Sequence, residues 1–180
     1  MNKWKRLKSE LAYDSKFFKV RKDLVELPSG EQKKWTYWDS PDSAMVLGMT
    51  QDKKLVMIKQ YRYMADDEVI EFPSGYNHGA ETIEAGAQRE FEEETVYSCS
   101  SLSPLGTFYE TYGQLNRKIH LFFADNVVRM EQKIDSGDYV PEDIEVVLVD
   151  FKEAVDMAVK NKIVAMGSAL AILLLKEKLK

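Results

Sequence analysis

The chain holds one cysteine and two histidines, carries no excess of positive charge, and has no apolar run long enough to span a bilayer. A lone thiol, Cys99, excludes an internal disulfide and lacks any zinc-ligand spacing. It suits a reducing compartment and reads as a partly buried thiol beside a strand. The longest apolar run, IVAMGSALAILLL at 163–175, falls short of the roughly 20 residues a membrane helix needs and reads as a buried helix. The opening stretch MNKWKRLKSELAYDSKFF is basic but has no apolar signal core, so the expectation is a cytoplasmic protein with no membrane partner. A net charge of -5 gives no broad attraction to a nucleic acid polymer or to anionic lipid. An anionic substrate must then be met locally, by a metal or by individual basic side chains. The two histidines, His78 and His120, are isolated and read as a loop residue and a core residue.

What is present is 180 residues with 44% apolar content, enough for one globular domain spanning 1–180. Period-two alternation and β-branched or aromatic enrichment predict strands at 17–24, 35–39, 44–50, 54–61, 105–109, 118–127 and 144–150. LPSGEQ, SPDS and TQDKK separate the first four as turns. Helical periodicity predicts helices at 82–95, 152–160 and 163–178. The fold class is mixed α/β, with one helix threaded between strands and two at the end. No internal repeat, low-complexity tract or linker interrupts it.

The informative stretch is EFPSGYNHGAETIEAGAQREFEEETVYS, residues 71–98. Ile83, Ala87 and Phe91 recur at four-residue steps and make one apolar stripe. Glu90, Glu93 and Glu94 stand at i, i+3 and i+4, so their side chains leave one neighbouring face together. Like charges at that spacing cost a few tenths of a kcal/mol per pair, and the helix macrodipole disfavours anions toward the C-terminal end. Taken alone the run reads as a solvated charged face. Three converging carboxylates are also the all-oxygen donor set that magnesium or manganese accepts.

The spacing around the run separates those readings. Gly75, five residues, Glu81, seven residues, then Arg89, Glu90, Phe91, one residue, Glu93 and Glu94 resembles the Nudix box, with Tyr97 in its last apolar position. One position departs: the second glycine of the box is Val96. Valine resists the positive φ that glycine permits there, so the helix is expected to end by another geometry. From about residue 17 to 175, with KQYRY ahead of the box and EFPSG leading into it, the chain is similar to the ADP-ribose and nucleoside-diphosphate-sugar pyrophosphatase branch of Nudix hydrolases. The resemblance implies an α/β/α sandwich around a mixed sheet, and additional N-terminal strands, within about 1–40, that help to form a homodimer.

It also implies roles. Glu90 and Glu94 would be the principal ligands of Mg2+ or Mn2+, Glu93 a third ligand or water holder, and the carbonyl of Ser74 a backbone ligand. Glu93 and Glu94 would thereby serve catalysis. Gly75, Glu81 and Arg89 would be structural, with the Arg89 guanidinium pairing to carboxylates such as Glu81 and direct phosphate contact as its alternative. Arg62 matches a position where this branch places an arginine near substrate, and it can equally cap a strand end. Glu71 would touch a substrate hydroxyl or the metal cluster. The general base would come from the loop DSGDYVPEDIE, where Asp138, Glu142, Asp143 and Glu145 are available and Glu142 is the choice.

The implied substrate is a nucleoside diphosphate sugar such as ADP-ribose or GDP-mannose, cleaved to nucleoside monophosphate and sugar phosphate. The serine-proline-glycine step usual in the ADP-ribose branch is replaced here by TYGQLN, with Tyr112 in place of the proline, and Asn116-Arg117-Lys118 stand where an acidic residue is expected. Hydrolysis of dinucleoside polyphosphates or nucleoside triphosphates is the alternative, followed by a non-catalytic nucleotide sensor. Tyr61, Tyr109 and Tyr112 are expected as half-buried sheet residues, with stacking on a base as their other reading.

Overall fold

A computed structural model describes residues 2–16, 18–76, 81–130 and 143–180. Two compact units divide the chain: Met1–Asp42 with Phe108–Lys118, and Ser43–Thr107 with Ile119–Lys180.

In the first unit β1 (Lys5–Asp14), β2 (Lys19–Glu26) and β3 (Gln32–Asp39) form an antiparallel sheet in that order. Gly30, at φ 87°, turns β2 into β3 in a conformation open to glycine. Asp39 ties the unit together, accepting from Arg21 Nε at 2.8 Å and from Asn116 Nδ2 at 2.7 Å. The resemblance implied strands within about 1–40, but the residue pattern predicted none at 5–14. Every residue of β1 is exposed, so it carries no inward apolar alternation to read, and it exists through its pairing with β2.

The larger, seven-stranded sheet contains β4 (Ser43–Met49), β5 (Lys54–Arg62), β6 (Asp67–Glu71) and β7 (Ser74–Tyr76). After these come α1 (Ile83–Thr95), the short β8 (Tyr97–Ser98), β9 (Ser103–Tyr109) and β10 (Lys118–Asp125). The chain closes with the short β11 (Val128–Arg129), β12 (Glu145–Asp150), α2 (Phe151–Val159) and α3 (Met166–Lys178). The strand order is β12-β5-β4-β10-β9, with β6 added to β5 and β7 to β4. The sheet is mixed, because β4 and β10 run parallel while β5 is antiparallel to β4, β6 and β12. The elements read from the sequence are present, with shifted boundaries; Phe17, the first residue of one expected strand, lies outside the described residues.

β4 is buried along its whole length, and its two faces meet different helices, as period-two alternation requires. Ala44 and Val46 pack with Ala87 and Phe91 of α1. At Gly48 a Cβ would lie 2.4 Å from the Phe91 ring, so only glycine lets α1 approach this closely. Met45 faces the other way, where its Cε would be 3.3 Å from a Cβ at Gly167 of α3. The sheet is thus a middle layer between helices.

β4 and β5 pair only at Gly48↔Val56 and Met49↔Leu55. Beyond that point they part: β5 continues with β6 and β4 continues with β7. The EFPSG stretch fills the fork. Phe72 is fully buried there, and the Pro73 carbonyl accepts from Val46 N–H at 3.4 Å.

Candidate active site

α1 begins at Thr82, whose hydroxyl accepts from Ala85 N–H at 3.2 Å and satisfies one open donor of the first turn. Ala87 and Phe91 bury one stripe, and Glu90 on a neighbouring face meets Gly75 of the EFPSG stretch. Glu90 is largely buried, its side chain 17% exposed, while Glu93 is 60% exposed. One oxygen of the Glu94 carboxylate, Oε2, is buried.

Gly75 and Glu90 touch. A Cβ at Gly75 would lie 2.2 Å from Glu90 Cδ and 2.5 Å from its Oε2, distances that real atoms do not adopt. The glycine at the head of the box therefore makes room for a carboxylate fifteen positions later. It seats Glu90 directly against the backbone that also carries Ser74, the residue paired with Met45 of β4.

Arg89 organises the charges. Its Nη2 donates to Glu81 Oε1 at 3.2 Å and its Nε to Glu81 Oε2 at 3.5 Å, a two-pronged contact. Its Nη1 lies 2.9 Å from Glu90 Oε1 and 3.0 Å from Glu93 Oε2. The hydrogen bond to Glu81, then Glu90 and Glu93, raise the Arg89 pKa against the opposing effect of burial. One guanidinium thus neutralises parts of three carboxylates and offsets the repulsion expected along the helix.

Among the described residues no three Asp, Glu, His or Cys side chains already converge closely enough to hold a metal ion. The donor set nonetheless fits a hard divalent cation: Glu90, Glu93 and Glu94 are oxygen donors at one-turn spacing, and the Gly75 notch brings backbone beside Glu90. Such an ion would share Glu90 and Glu93 with Arg89.

On β5 and β6, Arg62 and Glu71 are held together. Arg62 Nε donates to Glu71 Oε1 at 2.6 Å and Gln60 Nε2 to the same oxygen at 3.2 Å. Glu71 is largely buried, with a side chain 12% exposed against 42% for Arg62. The Arg62 charge is committed to Glu71 at the end of β5, with one side open to solvent. Gln60, a buried polar residue just past the apolar run 55–58 of β5, was not singled out from the sequence; its position in VMIKQY was the available signal.

Of the four acids offered as general base, Asp138 and Glu142 lie outside the described residues, as does His78. Asp143 is exposed. Glu145 stands in β12 and pairs with Lys59 at 3.6 Å, which also holds Glu68 at 2.9 Å. His120 is half-buried, with Nδ1 3.0 Å from Thr107 Oγ1.

Two sequence expectations are corrected. Tyr61, Tyr109 and Tyr112 are not half-buried: all three are exposed, Tyr112 at 83%, because each lies at a strand end or in a turn. Tyr61 donates to Asp66 Oδ1 at 2.7 Å, and Tyr112 lines a cleft of about 200 Å3 with Trp35, Tyr37, Leu115 and Asn116. Val96 does adopt a left-handed backbone, φ 56° and ψ 26°, with its N–H on Glu92 O at 3.1 Å. Neighbouring contacts outweigh the local preference of valine. Its carbonyl accepts from Met130 N–H at 2.9 Å, and β8, which follows at once, pairs with β11. The conformation costs about 1–2 kcal/mol in a non-glycine residue. Val96→Gly is expected to raise stability by about 1 kcal/mol net of glycine's extra chain entropy, or roughly 2–4 °C in Tm. A lower Tm in thermal unfolding would contradict this.

Cys99 is buried, and burial pushes its thiol pKa up, away from the reactive thiolate. Among the described residues no helix is long and apolar enough to cross a membrane.

Comparison with known families bears on this arrangement. The NUDIX domain model matches residues 39–166, and the nucleoside diphosphate sugar hydrolase N-terminal domain model matches residues 4–38. The chain belongs to the Nudix family. It is a Nudix hydrolase of the nucleoside diphosphate sugar hydrolase group. The ADP-ribose pyrophosphatase of Bacillus subtilis (strain 168) is 30% identical over 179 residues, covering 97% of this chain and 95% of the relative. The methanol dehydrogenase activator of Bacillus methanolicus is 31% identical over 138 residues, covering 76% of this chain and 75% of the relative. A crystal structure of an ADP compounds hydrolase superposes with a TM-score of 0.83 over 99% of this chain and 95% of that one, at 20% identity, and shares the fold. Nudix hydrolases generally use a divalent metal.

Proposed function

We propose that this Nudix hydrolase cleaves the diphosphate of a nucleoside diphosphate sugar, with ADP-ribose the foremost candidate and GDP-mannose and related sugars in the same class. The reading rests on one observation above the rest: the N-terminal family match precedes the NUDIX match with no gap, at residues 4–38 and 39–166. The near full-length similarity to an ADP-ribose pyrophosphatase supports ADP-ribose in particular. TYGQLN in place of the usual serine-proline-glycine step is the reason to keep other sugars in view.

In hydrolysis a water oxygen bonds to one phosphorus, the bridging P–O bond breaks, and nucleoside monophosphate and sugar phosphate leave. Glu90, Glu93 and Glu94, with the carbonyl of Ser74, would hold Mg2+ or Mn2+. When bound, the metal supplies neutralisation of diphosphate charge and a lowered pKa for the attacking water. Gly75 keeps Glu90 seated, Arg89 sets the Glu90 and Glu93 carboxylates in place, and Glu81 anchors Arg89. Arg62, fixed by Glu71, would present its open side to the diphosphate. Glu142 is proposed to take the proton from the attacking water. The single domain of 1–180 is proposed to act in the cytoplasm as a homodimer. Support for the dimer comes from the N-terminal family match, from β1 as a fully exposed edge strand, and from the exposed aromatic row of Tyr13, Phe18 and Trp38, with ring centroids 5.3 and 5.9 Å apart.

Product release from a panel of ADP-ribose, GDP-mannose, ADP- and UDP-sugars, diadenosine polyphosphates and nucleoside triphosphates tests the reading. Monophosphate and sugar phosphate from one sugar nucleotide would name the substrate. Cleavage of only polyphosphates or triphosphates would overturn it.

A further inference from the structure

Ser168 is fully buried in the first turn of α3, and it is the one polar side chain in the run IVAMGSALAILLL. An alanine would serve packing there equally well, so the hydroxyl calls for a reason. Its partner is distant in sequence: Ser168 Oγ accepts the backbone N–H of Phe72 at 3.0 Å, across 96 positions. Phe72 lies between β6 and β7, so neither strand ladder supplies its N–H with an acceptor. The next residue, Pro73, has no N–H to contribute. Ser168 is therefore the tie that fixes the peptide at the fork of the sheet.

The same hydroxyl lies 3.9 Å from Met45 Sδ, and Met45 is the strand partner of Ser74. Ser168 thus touches the chain two residues before Ser74 and the residue paired with Ser74. One residue further, Gly75 is packed against Glu90 with no space for even a methyl group. A shift of a few tenths of an ångström in this peptide would be passed to the Ser74 carbonyl and to the seat of Glu90, because close-packed interiors transmit displacement.

We infer that Ser168 is a positioning residue of the metal site: from the C-terminal helix it holds the Phe72–Gly75 backbone where Ser74 and Glu90 can share one divalent cation. The inference rests on the metal-site reading above, and its test separates the two. Mn2+ binding is measured by electron paramagnetic resonance, without substrate, on wild type, Glu94→Gln, Ser168→Ala and Ile172→Val. Ile172→Val trims a fully buried α3 side chain one turn away and serves as the control for loss of packing alone. Ser168→Ala is expected to weaken Mn2+ binding about tenfold, in the range seen for groups that orient metal ligands, and to raise by a similar factor the metal concentration needed for half-maximal turnover, with the substrate KM little changed. Ile172→Val should leave the Mn2+ Kd unchanged. Ser168→Cys, which fills the same space but offers only a weak sulfur acceptor, is the second variant should Ser168→Ala fold poorly, and the same weakening is expected of it. A Kd that falls in line with wild type for the Ser168 variants while Glu94→Gln weakens it overturns the inference alone. Equal Kd values for wild type and Glu94→Gln overturn the metal-site reading, and the inference with it.

Discussion

Glu94→Gln is expected to lower turnover about 1000-fold with little change in the Tm measured without metal. The substitution keeps the size of the side chain and its place on α1 but removes the negative charge from one of the proposed ligands. Lewis-acid stabilisation of transferring phosphate is worth several kcal/mol, and a loss of about 4 kcal/mol corresponds to that factor. The effect should appear in kcat and persist at high substrate, because the lost interaction belongs to the transition state. Steady-state kinetics at saturating magnesium check it. Turnover within tenfold of wild type would remove Glu94 from the ligand set.

Gly75→Ala is expected to lower turnover about 100-fold while leaving the fold intact. The added methyl would meet Glu90 at 2.2 Å from Cδ and 2.5 Å from Cγ and Oε2. These atoms belong to a side chain with free torsions, so the protein relieves the clash by swinging Glu90 aside, at a stability cost of about 1–2 kcal/mol. Displacing a catalytic group by about 1 Å costs on the order of 100-fold in rate. Activity should therefore fall far out of proportion to Tm. A variant that loses both together would show that Gly75 serves the fold alone.

These contacts also show what the sequence made legible. The end of α1 opposite Val96 was readable to within a residue, because Thr82 is a capping residue and the Ile83, Ala87, Phe91 stripe has helical period. β4 and β5 were readable from their alternation and β-branched enrichment, although both are largely buried. β6 and β7 were not: DEVIE and SGY are short and mostly polar, and they become strands only because β4 and β5 part and leave edges to be filled. The box named Gly75, Glu81, Arg89 and the glutamates by spacing, but spacing alone did not reveal that Gly75 exists to admit Glu90. The pairing of Glu71 with Arg62 and Gln60 and the Ser168 tie to Phe72 are tertiary, joining residues 9 to 96 positions apart. A polar residue in an apolar run was the only trace of either. Val96 failed as a prediction for the opposite reason: a correct local preference was overruled by the pairing of β8 with β11.

The measurement that bears most directly on the account is thermal unfolding with and without magnesium, on wild type and Glu94→Gln side by side. A cation bound only by the folded chain, at a hundred times its Kd, adds about 2.7 kcal/mol of stability. For a chain of this size that is roughly 5–10 °C in Tm. The expected result is that rise for wild type, a similar rise with manganese, and most of it lost in Glu94→Gln. A wild-type Tm indifferent to millimolar metal, or a shift that Glu94→Gln retains in full, would contradict the claim that the carboxylates of α1 form the cation site.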